Sequence, residues 1–303
     1  MKVVVVGIGV QGKKRIKSIG KNLVATVDPN NSADYNSIQE VPLSIYDTAI
    51  VCVPDLLKYN VLKYLIKNKK NIMVEKPLFY KNKNLLIKLS KLLKKNQTIL
   101  YTAYNHRFEP NIARVKEILK KKKIGKIYMC RLFYGNGTSM LVKKSLWKDK
   151  NSGVIQDLLS HLIDIIYFWF GSKKLALKLI KKNSFENKSP DHVLVNGKHN
   201  SIFLELEASY CMWKNHFTCD IIGQRGSIHI SSLSKWDKTK LIIRKRKFPS
   251  GYPSEKIISE KIKDPTWNQE FQYFKKLIKN NIKTDLSKDI MINNHLNNII
   301  RSN

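Results

Sequence analysis

Four consecutive valines, Val3 to Val6, run straight into Gly7-Ile8-Gly9-Val10-Gln11-Gly12, and this junction restricts the fold of the 303-residue chain more than any other. An apolar run that short, closed by glycines and followed by a helical pattern over residues 11–19, predicts a buried strand, a tight turn and a helix. Each glycine has a separate reason. One makes the turn, one lets backbone approach a pyrophosphate, and one permits close helix–strand packing. The helix N-terminus then offers free N–H groups to phosphate charge. Asp28 ends the next apolar run, 21 residues after Gly7, where a carboxylate can take the ribose hydroxyls of a dinucleotide. An acid there repels a 2′-phosphate, so NAD is expected rather than NADP. Gly7, Ile8, Gly9, Val10, Gln11, Gly12 and Asp28 are the first cofactor-binding candidates.

Further apolar runs at 23–27, 49–53, 72–74 and 99–103 alternate with helical patterns at 56–67 and 82–94. Strand–helix alternation with continuously apolar strands predicts a parallel sheet covered on both faces. Residues 29–47 lack a helical period and read as a trimmed crossover. Ligands of open parallel sheets bind beyond the carboxyl ends of the strands. Pro54, Glu75, Lys76 and Asn105 stand at those ends and join the cofactor candidates. Lys76, boxed between an acid and Pro77, stands out even in a chain with 48 lysines. Beyond residue 105 the pattern changes to a helix at 110–122, a strand at 126–134, a polar loop at 135–152 and a helix at 154–170. Successive strands over 173–246 follow, with turns at Asn196-Gly197 and Gln224-Arg225-Gly226. Two helices, 267–280 and 287–300, close the chain. The expected class is α/β, with a dinucleotide-binding domain over 1–105 and a mostly antiparallel α+β domain over 106–303.

The net charge of +33 invites a nucleic-acid partner. Only eight of the 56 basic residues are Arg, the side chain suited to reading phosphates and bases, and the lysines are spread along the chain. Lysine-rich solvent faces are the simpler reading, and no specific nucleic acid is expected. No apolar run approaches the ~20 residues of a membrane span. The opening apolar stretch is too short for a signal peptide, and a cytoplasmic location is expected. Four cysteines without paired spacing fit reduced thiols. Cys211, His216 and Cys219 would place 216 and 219 on opposite faces of a strand, so no metal is expected.

Residues 154–170 hold no lysine at all. Within them Asp157, Ser160, His161 and Asp164 form a narrow polar stripe at i, i+3, i+4 and i+7. A solvated helix face in this chain would carry lysine, so the stripe reads as shielded from bulk water. It then lines a cleft or forms a satisfied core pair.

Gly7 to Gly12, Glu75-Lys76-Pro77, Asn105-His106-Arg107-Phe108, the set Gly153, Asp157, His161 and Asp164, and Gly223-Gln224-Arg225-Gly226-Ser227-Ile228 occur in an order that resembles the Gfo/Idh/MocA (glucose–fructose oxidoreductase, inositol dehydrogenase, rhizopine catabolism) family. The resemblance implies a Rossmann domain followed by a C-terminal domain with a large open sheet that commonly forms a homodimer or homotetramer interface. It implies NAD(P)-dependent hydride transfer on a sugar, sugar nucleotide or polyol, with surface-carbohydrate synthesis the first context considered. By the same resemblance Lys76, Asp157 and His161 match the catalytic lysine, acid and histidine. Arg107, Tyr134, Asn136 and Trp147 are candidate substrate-wall groups, with Asp157 also binding a substrate hydroxyl; a surface Arg or an anchoring core aromatic reads equally well. The chain departs from the family at Lys58, where a His is common, and in the short run Asn151-Ser152-Gly153. The alternative is a non-catalytic NAD(P)-binding sensor or scaffold of the same fold.

Overall fold

The computed structural model describes residues 1–145, 148–150, 152–172 and 175–302. They divide into two compact units, the first Met1–Asn105 with Thr266–Asn294, the second His106–Pro265 with His295–Asn303. The sequence division gave all of 106–303 to the second domain. The first unit instead takes in one C-terminal helix and about half of the other.

The first unit is built on strands β1 (Val3–Val6), β2 (Leu23–Val27), β3 (Thr48–Val51), β4 (Asn71–Glu75) and β5 (Leu100–Ala103), with helices α1 (Val10–Ile19), α2 (Asp55–Lys67) and α3 (Asn84–Asn96) between them. The sheet order is β2-β1-β3-β4-β5, parallel throughout. Every residue of β1, β3 and β5 is buried, as continuously apolar strands covered on both faces require. Helix α3 turns Leu86, Leu89 and Leu93 inward at helical spacing and leaves its lysines outside. Burying one such side chain contributes about 1.5–3 kcal/mol. Residues 29–47 form turns, yet they add Ile38, Val41 and Tyr46 to the core.

Helix α7 (Thr266–Lys279) explains why the first unit draws on the far end of the chain. Arg15 of α1 is buried between Glu75 Oε1 at 2.6 Å and Glu270 Oε2 at 2.7 Å. The Trp267 ring lies 4.4 Å from its guanidinium, and the Tyr101 hydroxyl donates to Glu270 Oε1 at 3.1 Å. Burial pushes the Glu270 carboxyl up in pKa while Arg15 pulls it down. Buried charges with this many partners are costly to break. Helix α8 (Ser287–Arg301) begins beside Leu286, itself in this core, and crosses into the second unit.

The second unit carries α4 (Pro110–Lys120), β6 (Ile127–Gly135), α5 (Ser139–Lys143), α6 (Ser160–Phe170) and strands β7 (Leu175–Asn183), β8 (His192–His199), β9 (Ile202–Ser209), β10 (His216–Gly223), β11 (Gly226–Ser231), β12 (Thr239–Lys245) and β13 (Ser254–Glu260). Its eight strands run β13-β12-β11-β10-β6-β9-β8-β7, antiparallel except for the β6–β9 pair. Period-two alternation buries Cys130, Leu132 and Tyr134, Leu204, Leu206 and Ala208, and Phe217, Cys219 and Ile221 on one face. Cys219 is buried and His216 exposed, as opposite strand faces predict.

The structure corrects several sequence expectations here. Asn196-Gly197 is no turn but the middle of β8. A Cβ on Gly197 would lie 1.9 Å from the Ala176 carbonyl oxygen, so the glycine serves close strand approach. The hairpin turns instead at Asn200, which takes φ +54°. The polar loop contains α5, and β13 follows the last predicted strand. No helix among the described residues is long and apolar enough to cross a membrane.

Candidate active site

In the first unit, all strands being parallel, their carboxyl ends share one edge of the sheet. Gly7 takes φ +89°, and a Cβ there would meet the Cys52 carbonyl oxygen at 2.9 Å. A Cβ on Gly12 would lie 2.0 Å from the Gly7 carbonyl oxygen, so the helix could not pack against the turn with any other residue. Gly9, the N-cap of α1, is the contrast: a Cβ there meets nothing within 4 Å. The space over the helix N-terminus is therefore open, and the three glycines fit the separate tasks that a bound pyrophosphate sets. Val10 and Gln11 are exposed in the first turn, while Ile8 is buried.

Asp28 Oδ2 accepts the Ile8 N–H at 2.8 Å and Oδ1 accepts the Asn30 N–H at 2.9 Å. Burial acts to raise its pKa, but hydrogen bonds from the Asn31 side chain and from backbone N–H groups outweigh it and hold the carboxyl below the usual range. Asp28 thus ties the glycine turn to the end of β2 and keeps its charge. Pro54 caps α2 after β3. Glu75 is bound to Arg15, and Asn105 donates to Thr266 Oγ1 at 3.0 Å. Lys76 is half-buried, and its peptide bond to Pro77 is cis.

In the second unit the lysine-free segment opens with a π-helical turn, Ile155–Leu159, and continues as α6. Gly153 before it takes φ +50°, and a Cβ there would lie 2.1 Å from the Pro190 carbonyl oxygen. Helix α6 is buried on nearly every face, which explains the missing lysines. Asp157 sits in the wide turn and accepts the Tyr210 hydroxyl at 3.2 Å. Burial first, then the Asp157 charge, pushes the Tyr134 and Tyr210 hydroxyls up in pKa. His161, 6% exposed, stacks on His106 with ring centroids 4.0 Å apart and planes 19° from parallel. Lys235 Nζ donates to His106 Nε2 at 2.7 Å and lies 4.5 Å from the Trp236 ring centroid. Tyr134 touches this cluster, 5.2 Å from His106 and 5.9 Å from His161.

Asp164, the last member of the stripe, has a partner of its own. It is 1% exposed and holds Arg107 in a two-pronged ion pair, with Arg107 Nε 2.7 Å from Oδ2 and Nη2 on Oδ1. Asn136 Oδ1 accepts the Thr138 N–H at 3.1 Å and hydroxyl at 2.6 Å, shaping the entry to α5. Trp147 lies outside the described residues. Thus Tyr134, Asp157 and His161 gather in one cluster, while Arg107 and Asn136 are engaged beside it. His106, Lys235, Trp236 and Tyr210 belong to the cluster without having been singled out. Of these only His106 stood in a noted motif, and Lys235 is one lysine among 48.

Residues 1–104 match the oxidoreductase family described as having an NAD-binding Rossmann fold, and residues 112–229 match the GFO/IDH/MocA C-terminal domain. The chain belongs to the Gfo/Idh/MocA oxidoreductases. It is an NAD-binding oxidoreductase of that family, and the glycine turn and Asp28 fall within the matched Rossmann region. Among curated proteins no match is found. Solved structures similar to this Gfo/Idh/MocA chain include a levoglucosan dehydrogenase in complex with NADH, at 16% identity and TM-score 0.84 over 99% of this chain and 95% of the other. A UDP-N-acetylglucosamine 3-dehydrogenase from Acidithiobacillus ferrooxidans aligns at 14% identity and TM-score 0.80, covering 100% and 99%. A myo-inositol dehydrogenase from Corynebacterium glutamicum aligns at 14% and 0.78, covering 100% and 96%. At such identities the likeness is one of fold.

Proposed function

We propose that the chain interconverts an alcohol and a ketone on a sugar, sugar nucleotide or polyol, with NAD as the hydride carrier. The observation that carries this reading is the combination of an open, glycine-lined helix N-terminus beside Asp28 in one unit with a cluster of half-buried Asp157 and buried His161 and Tyr134 in the other. When bound, NAD supplies the hydride acceptor or donor at the nicotinamide ring. His161 takes the hydroxyl proton as the carbon is oxidised and returns it in the reverse direction. The Lys76 ammonium stabilises the negative charge that develops on the substrate oxygen and relays the proton. Asp157 orients His161 and accepts a substrate hydroxyl. The structural relatives act, by their names, on levoglucosan, a UDP-sugar and an inositol, which supports a polyhydroxylated substrate; formation of a surface carbohydrate is the context proposed for it.

The chain is further proposed to form a homodimer or homotetramer through the outer face of its eight-stranded sheet. Phe203, Met129 and Ile222 lie side by side across β9, β6 and β10 there. A cytoplasmic setting fits its four free thiols.

The decisive experiment follows nicotinamide absorbance while the full chain meets NADH and a panel of keto-sugars, keto-inositols and keto-sugar nucleotides. Turnover of at least one member is expected. Lys76→Met should lower it by about 10²- to 10⁴-fold, the usual worth of a proton-transferring group, with NADH still bound. Undiminished turnover in that variant would falsify the mechanism.

A further inference from the structure

Lys58 is one of the most buried lysines in a chain that keeps nearly all of its lysines wet, at 3% exposure. It stands one turn into α2, and its side chain runs beneath the exit of β4. An ammonium has three protons to donate and accepts none. All three are engaged here: with Asp55 Oδ1 at 2.6 Å, with the Glu75 carbonyl oxygen at 2.7 Å and with the Pro77 carbonyl oxygen at 2.9 Å. Those two carbonyls belong to the residues immediately before and after Lys76.

The consequence is electrostatic. Two carbonyl oxygens that converge on one point repel each other unless a cation lies between them, and burial removes the water that would otherwise screen them. Arg15 holds the Glu75 side chain from the other side, and the Tyr80 N–H is held by Asn293 Oδ1 at 2.9 Å. Lys58 alone among these contacts grips the backbone on both flanks of Lys76. We propose that Lys58 is a positioning residue, an internal cation that fixes the Glu75–Lys76–Pro77 turn and thereby aims the Lys76 ammonium. The inference rests on Lys76 acting in catalysis as proposed above.

The test compares the full-length chain with Lys58→Met, which keeps length and removes the charge, with Lys58→His, which can donate one hydrogen bond, and with Lys76→Met and the Lys58→Met/Lys76→Met pair. Readouts are kcat and KM on the best keto-substrate of the panel, the NADH dissociation constant by fluorescence, and backbone hydrogen exchange read by mass spectrometry. Lys58→Met should lower kcat by about ten- to a hundredfold, the penalty of misplacing a reacting group by about 1 Å, with KM and NADH affinity within about twofold. Amides of Lys76 and of residues 78–80 should exchange about tenfold faster, with the rest of the sheet unchanged. Lys58→His should lie between wild type and Lys58→Met, and it decides the matter if the Met variant does not fold. The paired variant should be no slower than Lys76→Met alone, because Lys58 acts only through that side chain.

Unchanged kcat and unchanged exchange in Lys58→Met overturn the proposal. So do losses that multiply in the paired variant, since they would report a general loss of structure. Full turnover in Lys76→Met removes the role of Lys76 and this inference with it, whereas a dead Lys76→Met beside an unimpaired Lys58→Met removes the inference alone.

Discussion

Asp28, proposed as the ribose contact, already has a structural role. Its two oxygens already accept backbone N–H groups from the glycine turn and from the turn after β2. Each carboxylate oxygen has a second lone pair, so ribose hydroxyls can be added to the same group. The net depression of its pKa fixes the direction of a pH effect. A carboxyl held below its unfolded value adds stability that is complete above that value and is lost as pH falls through the folded one. Asp28→Asn should therefore be less stable than wild type at pH 7, by about 1 kcal/mol for a hydrogen bond with a charged partner lost in part. Its melting temperature should fall less than the wild-type value between pH 7 and pH 3. The variant should also bind NADH more weakly and lose discrimination against NADPH. Parallel melting curves for the two proteins across the acid range would contradict the linkage, and an unchanged NADH/NADPH ratio would contradict the ribose contact.

At the scale of elements, α6 and the π-helical turn before it decide which polar groups act together. A plain α-helix would align Asp157, His161 and Asp164 on one stripe. The wide turn ends before Ser160, so it takes Asp157 out of the register of α6 while His161 and Asp164 stay one turn apart, and Asp164 is matched to Arg107. Arg107→Leu should destabilise the chain by about 3–5 kcal/mol, because it strands a buried carboxylate; adding Asp164→Leu should restore most of that loss. Thermal unfolding of the two variants measures this directly. A raised KM with unchanged melting in Arg107→Leu would return Arg107 to the substrate wall.

The same elements show where the sequence was readable. The continuously apolar strands of the first unit and the glycine turn were legible because burial on both faces and a positive φ leave few residue choices. Strand β13 was not, since Ser254, Glu255, Lys256, Ser259 and Glu260 at a sheet edge carry no apolar alternation. Asn196-Gly197 misled because glycine serves close strand approach as well as turns. The π-helical turn leaves no periodic signal, Lys235 was hidden by the abundance of its own residue type, and Lys58 stood out only as a departure from the family, with no sign of its contacts. Asp157 and His161 stood out in the sequence because lysine was missing around their polar stripe and because their spacing matches the family's motif.

For the whole molecule, the charge of +33 sets the terms on which two copies can meet. Uniform repulsion between such chains opposes any assembly at low ionic strength. The middle strands of the outer sheet face are less one-sided in charge, although Lys198 stands opposite Phe203. A row across it pairs Glu205 with Arg131 at 3.5 Å and Asp220 with His229 at 2.5 Å, and Arg244 meets Glu255 at 2.5 Å in the next row. Locally balanced charge beside Met129 and Ile222 allows a self-complementary contact, while the lysines around it still repel. Screening should then favour association rather than weaken it. Raising salt from about 10 to 150 mM shortens the screening length from about 30 to about 8 Å, which removes the long-range repulsion and leaves the short paired contacts. Sedimentation velocity at both salts should show the dimer or tetramer fraction rising, and Met129→Glu should shift it back toward monomer with the melting temperature of the chain little changed. A monomer at both salts would refute assembly through this face, and an oligomer that dissolves as salt rises would mean that attraction between opposite charges, not the apolar strip, holds the copies together.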